Sequence, residues 1–161
     1  MELLNKILHL GRVSNFYPLL ITCWMKFKNQ PELNQILTTV EKFIFRGYVL
    51  SRTRPYAGRN KLYSLAYEVH SKKLNATDIT DRLGKIILDY APSYWLKQCL
   101  KDRDFATKIW SSDVRYLFFE YEMYLRRKAK EPLDVKLSQI LSEEYEVEHI
   151  WARDTSNLGL T

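Results

Sequence analysis

The chain has 161 residues, 46% hydrophobic and 27% charged, with a formal net charge of +6. That is the size and make-up of one soluble globular domain with room for a real core. Only 5 Gly and 5 Pro argue against a many-stranded sandwich and for helices, and no run reaches the ~18 apolar residues of a membrane span.

The net charge is compatible with contact to a nucleic-acid backbone, although many proteins of this charge bind none. Eleven Tyr, seven Phe and four Trp place aromatic rings in the core. Cys23 and Cys99 both lie in apolar helical surroundings and read as buried free thiols of a reducing compartment. With no CxxC and no Cys beside a His, a zinc site is not expected. The first residues, MELLNKILHLGRVSN, lack a signal peptide's apolar stretch and cleavage site, so the expected location is cytoplasmic.

Leu3, Leu4, Ile7, Leu8 and Leu10 predict a short opening helix ending near Gly11. Phe16 to Lys28 is apolar on nearly all sides, with Pro18 suited to a first helical turn, and is expected to be central to the core. Pro31 restarts the chain. Leu33, Ile36, Leu37, Val40, Ile44 and Tyr48 then predict a helix to about Ser51. The irregular stretch SRTRPYAGRN follows.

Lys61 to Lys73 reads as a helix with Leu62, Leu65, Ala66 and Val69 inward. Thr77 or Asp78 is the expected N-cap of the next helix, which carries Ile79, Leu83, Ile86, Ile87 and Tyr90 and is halted by Pro92. Ser93 is the expected cap of a short helix through Leu100, and Phe105 to Trp110 form a further short apolar piece. After Ser111 and Ser112, Val114, Leu117, Phe118, Tyr121 and Leu125 form one stripe. Tyr116, Phe119 and Met123 cover part of the other side, predicting burial on two faces. Glu122 and Arg126 stand four apart in the favourable order. Val135 to Ser142 reads as a short helix or connector, and only YEVEHIW alternates like a strand. The predicted fold class is therefore all-α, a multi-helix bundle over residues 1–142 with a short strand-like C-terminal tail.

Three groups of residues can carry chemistry. His149, after Glu148 on the strand-like run, has the form of a general base that takes a proton from water. Phosphodiester hydrolysis also needs a metal, and beyond His149 only Asp154 and Asn157 are plausible ligands. The other reading is an ordinary tail histidine. In the second group, Arg52, Arg54, Arg59 and Lys61 with Tyr56 can hold phosphates or stack on a base, or can form a solvated basic loop. The third is Arg46, a charge in an apolar helix. It is expected to pair with Glu120 or Glu122, which sit in an equally apolar one.

The stretch EVEHIWARD (Glu146 to Asp154), followed by SNLGLT, resembles the opening of the HNH-like (His-Me finger) nuclease domain of GmrSD-type, modification-dependent restriction endonucleases. VEKFIFRGYVL (Val40 to Leu50) and DVRYLFFEYEMYL (Asp113 to Leu125) resemble the helical region that precedes it, in the same order. Ala152 stands where the family usually has Pro. The resemblance implies that residues 143–161 are the truncated start of a nuclease domain, with His149 aligned to its general base and Glu148 to the acid before it. It implies a non-catalytic helical piece of an anti-phage protein, linking a nucleotide-hydrolysing domain to the nuclease and contacting DNA. Mg²⁺ or Mn²⁺ and a nucleoside triphosphate would belong to the full-length parent, and no cofactor to this chain, which has no GxxxxGK[ST] motif. The alternative expectation is a stand-alone helical protein-interaction module.

Overall fold

The structure, a computed structural model, describes residues 2–28, 30–132 and 136–141. Among these residues it is all-helical, with eight α-helices and no strand. Compactness divides the chain into two units, Met1–Ile109 and Trp110–Thr161. The strand-like run around His149, and the boundary expected between residues 142 and 143, lie outside the described residues.

In the first unit, α1 (Glu2–Leu10) stops at Gly11, whose φ of +60° is the left-handed conformation that suits glycine. Helix α2 (Tyr17–Phe27) carries Pro18 in its first turn, as expected. It is not central to the core. Leu19, Cys23 and Phe27 are buried, but Tyr17, Ile21, Trp24 and Met25 are exposed, Met25 at 71%. A helix apolar on every side gives no pattern from which to choose the buried face, and α2 turns only one side to α3 and α4.

Helix α3 (Pro31–Phe43) buries Leu33, Ile36 and Val40. It continues through Ile44–Leu50 as a π-helix, whose N–H groups reach the carbonyl five residues back. Ser51 N–H closes the segment on Arg46 O at 2.9 Å. Gly47, Tyr48, Val49 and Leu50 are all buried, which a one-faced helix does not allow. This long element contacts α1, α2, α5 (Ala76–Tyr90) and α6 (Ser93–Lys101). Rings meet at its crossings: Phe16 and Phe43 edge to face at 5.1 Å, and Tyr48 at 5.8 Å from Phe43. Phe16 and Phe43 are almost wholly buried, each contributing roughly 1.5–3 kcal/mol by removal from water.

Helix α4 (Arg59–Ser71) buries Leu62, Leu65, Ala66 and Val69, the predicted face. The cap of α5 is Asn75, not Thr77 or Asp78. Asn75 Oδ1 accepts from Asp78 N–H at 2.8 Å, and Asp78 Oδ2 accepts from Asn75 N–H at 3.0 Å. Asp78 thus sits inside the helix as the far half of a capping box, which satisfies two otherwise orphaned donors. Ser93 likewise is not a cap. Pro92 holds that position, and Ser93 opens α6 with its hydroxyl accepting from Arg46.

The second unit contains α7 (Ser111–Ala129) packed on α8 (Leu137–Leu141). The expected stripe of α7 is largely reversed. Tyr116, Phe119 and Met123 are buried with Val114, whereas Phe118, Tyr121 and Leu125 are exposed. Both sides of this helix are apolar, so spacing defines two stripes without ranking them. Glu122 and Arg126 pair at 2.6 Å, as their order predicts.

Candidate nucleic-acid interface

The stretch from Ser51 to Gly58 is irregular in backbone but tied at many points. Thr53 donates twice to Gly47 O, from its N–H at 3.1 Å and from Oγ1 at 2.7 Å. Tyr48 donates its hydroxyl to Ala57 O at 2.6 Å, and the buried Asn15 amide donates to Pro55 O and to the Tyr48 hydroxyl. Burial pushes the Tyr48 phenol above its usual range, so it stays a neutral donor. From α6, Trp95 Nε1–H donates to Ser51 O at 3.0 Å and the Cys99 thiol approaches the same carbonyl. Each tie satisfies a backbone group that the loop would otherwise leave unpaired.

These ties shape a groove of about 580 Å³, lined by Arg52, Arg54, Tyr56, Arg59, Tyr90 and Trp95 among others. No acidic residue lines it among the described residues. The three arginines differ in their freedom. Arg52, at φ +51°, donates to Asp102 at 3.3 Å, a carboxylate that Lys108 also holds. Bonds from Lys108 and from Asp104 N–H keep the Asp102 carboxyl below its usual range. Arg54 donates to the Tyr56 hydroxyl at 3.3 Å and meets no carboxylate among the described residues. The Arg59 guanidinium makes no hydrogen bond or ion pair among the described residues. Arg54 and Arg59 are both exposed, and their charges are available to an anion.

Gly58 makes the floor of the groove possible. Its φ is +80°, and a Cβ there would stand 3.3 Å from Ile86 and 3.4 Å from Tyr90. No side chain caps the start of α4 that follows it.

No family model, curated protein or solved structure matches this chain.

The remaining predicted residues are placed as follows. Lys61 lies outside the groove. It pairs with Asp89 at 2.5 Å and stands 5.5 Å from the centre of the Tyr90 ring. The Asp89 bond holds its ammonium above the ordinary lysine range. Arg46 finds its partners within its own unit. Its Nε and Nη2 donate to Ala91 O at 3.2 and 2.9 Å, and Nη2 donates to Ser93 Oγ at 3.1 Å. It thereby caps the carboxyl end of α5, where a cation also complements the helix dipole. Glu120 and Glu122 belong to the other unit, where Glu122 accepts from Arg126. His149 and Glu148 lie outside the described residues. Among the described residues, no group of three or more His, Cys, Asp or Glu is placed to hold a metal ion, and no helix is long and apolar enough to cross a membrane.

Tyr90 and Trp95 do not stand out as site residues in the sequence. They follow Tyr56 by more than thirty positions and arrive at the groove through α5 and α6. The one available signal is a tryptophan in an otherwise ordinary short helix.

Proposed function

We propose that this chain is the helical part of a cytoplasmic GmrSD-like anti-phage restriction protein, connecting a nucleotide-hydrolysing domain to an HNH-like nuclease domain. Its own task is to contact DNA through the Arg52–Lys61 face. One observation carries the reading: Arg54 and Arg59 present guanidiniums without carboxylate partners among the described residues, around an aromatic groove whose loop is held by side-chain and backbone bonds. Such cations add phosphate affinity without first having to break an internal ion pair. The resemblance of Val40–Leu50 and Asp113–Leu125 to that family's helical region supports the reading, and in the parent His149 and Glu148 would begin the nuclease site with its divalent metal.

Fluorescence anisotropy with a DNA duplex over a range of salt concentrations tests the contact. Arg54→Ala with Arg59→Ala is expected to weaken binding and to lower the log–log salt slope by about 0.9 for each phosphate no longer neutralised. Binding equal to wild type at every salt concentration would refute it. In the full-length protein, His149→Ala is expected to abolish cleavage with Mg²⁺ or Mn²⁺ while leaving binding by this face unchanged.

A second reading, a helical protein-interaction module, is favoured by apolar surface on α1 and α2. Leu8, Ile21, Trp24 and Met25 are exposed, and Leu3, Leu4, Leu20 and Trp24 line an apolar hollow of about 510 Å³ with α3. Self-association by sedimentation that Ile21→Lys abolishes, in a chain that binds no DNA, would favour it over the first.

A further inference from the structure

We infer that the groove beside Gly58 receives an unpaired nucleotide, so that the strand this face prefers is single-stranded. The inference rests on the reading of the Arg52–Lys61 face as a nucleic-acid surface and specifies what that surface holds. Basic side chains alone would fit the outside of a duplex, because phosphates are exposed on both kinds of strand. The rings are what discriminate. Tyr56, Tyr90 and Trp95 line a recess of about 580 Å³, within the rough 300–1,000 Å³ of sites that enclose a small molecule. In a duplex each base face is covered by its neighbours, so a protein ring cannot stack on it. An unpaired base offers both faces, and stacking on aromatic side chains is the usual way such a base is held.

One of the rings is also positioned in advance. Trp95 is fixed through its Nε1–H on Ser51 O. Tyr90 comes from α5, and its Cε2 lies 3.4 Å from the place a Cβ on Gly58 would occupy. Tyr56, 57% exposed, stands at the mouth with its hydroxyl taken by Arg54. For Trp95, little side-chain freedom therefore remains to be given up on binding. Arg54 and Arg59 line the same recess, where the phosphate of a stacked nucleotide must lie.

A path for the next phosphate leaves the recess at Asn60. This residue lines both the groove and a second hollow of about 420 Å³, shared with Lys61, Arg82 and Lys85. In that hollow Arg82 is taken by Glu68 at 2.6 Å and Lys61 by Asp89. Lys85 makes no ion pair among the described residues. Two neighbouring recesses, one ringed by aromatics and one carrying a free ammonium, fit successive nucleotides of a flexible strand.

Anisotropy of the whole chain with labelled dT12, rU12 and a 12-base-pair duplex at about 150 mM salt, near physiological ionic strength, tests this. The expected result is tighter binding of a single strand than of the duplex by about tenfold or more, the worth of a stacked base. Tyr56→Ala is expected to lose about that factor on the single strand and to leave duplex binding within about twofold, whereas Tyr56→Phe keeps it. Tyr56 is exposed, so an unchanged circular dichroism spectrum will show that the variants fold. Preference for dT12 or for rU12 supports the inference equally and identifies the sugar. Duplex binding as tight as single-strand binding, or a Tyr56→Ala variant that binds dT12 and rU12 like wild type, overturns it. In that case the nucleic-acid face still stands if Arg54→Ala and Arg59→Ala weaken the duplex. Binding of none of the three probes overturns both.

Discussion

Replacing Gly58 by alanine is expected to destabilise the first unit, and the size of the effect follows from two local facts. At φ +80° an L-residue carries a left-handed penalty of roughly 1–2 kcal/mol. The added Cβ, 3.3 Å from Ile86 Cγ2 and 3.4 Å from Tyr90 Cε2, forces a shift of a few tenths of an ångström, adding up to about 1 kcal/mol. Against this, alanine restricts the unfolded chain and returns about 0.4–1 kcal/mol. The net destabilisation is about 1–2 kcal/mol. Gly84 supplies the control. It lies inside α5 with nothing within 4 Å of a built Cβ, so Gly84→Ala is expected to stabilise by roughly 0.5–1 kcal/mol. Urea titration followed at 222 nm reads both. With a slope of about 1–3 kcal/mol per molar, Gly58→Ala moves the midpoint down by about 0.5–1 M and Gly84→Ala moves it up by a smaller amount. Opposite signs from the same chemical change are the test. A neutral or stabilising Gly58→Ala would mean that the backbone at the groove floor is not held as described.

Both thiols are buried, and burial pushes Cys23 up to about 12. Neither is expected to react with a disulfide reagent at mildly alkaline pH until urea unfolds the chain, and rapid labelling of Cys23 in native buffer would contradict its placement. Lys72 and Arg82 hold the Glu68 carboxyl below its usual range, as Lys108 does for Asp102. Their folded pKa values are depressed. The stability they add is thus complete above the unfolded values near about 4 and disappears as pH falls through the folded ones. Melting temperature is expected to hold from about pH 7 to 5 and to drop toward about pH 3, with Glu68→Gln showing a shallower drop. A rise over that acid range would be the wrong sign. Asn75→Ala removes the capping box of α5 and is expected to cost about 1 kcal/mol in the same urea titration. No change there would place the cap elsewhere.

Where an element has one apolar side, its spacing is enough to orient it. Leu62, Leu65, Ala66 and Val69 on α4 are buried as their spacing predicts. Helix α2 defeats the same reasoning because it is apolar on nearly all sides, and α7 because it carries two apolar stripes, so burial is decided by which neighbours the chain can bring to them. The Asn75 cap is legible in principle. The N-A-T-D spacing is that of a capping box, but Thr77 and Asp78 stand nearer the first apolar residue and draw the assignment. Arg46 shows a different gap. The apolar run around it requires a partner, and the guanidinium finds carbonyl and hydroxyl oxygens at the α5–α6 corner, which no charge pattern reveals. The basic half of the groove is visible as Arg52, Arg54, Tyr56 and Arg59. Its aromatic wall is not, because Tyr90 and Trp95 come from two later helices.

The π-helical stretch from Ile44 to Leu50 behaves like an α-helix into which a residue has been spliced. An α-helix turns by about 100° for each residue, so the number of residues along this stretch sets the compass bearing at which Ser51 emerges. Trp95 and Cys99 both meet Ser51 O, and Thr53 returns to Gly47. Exchanging one side chain for another of similar bulk leaves that bearing alone. Removing or adding a single residue swings it by roughly a quarter of a turn and unhooks the loop from its anchors. In this part of the chain, length is therefore under tighter constraint than identity.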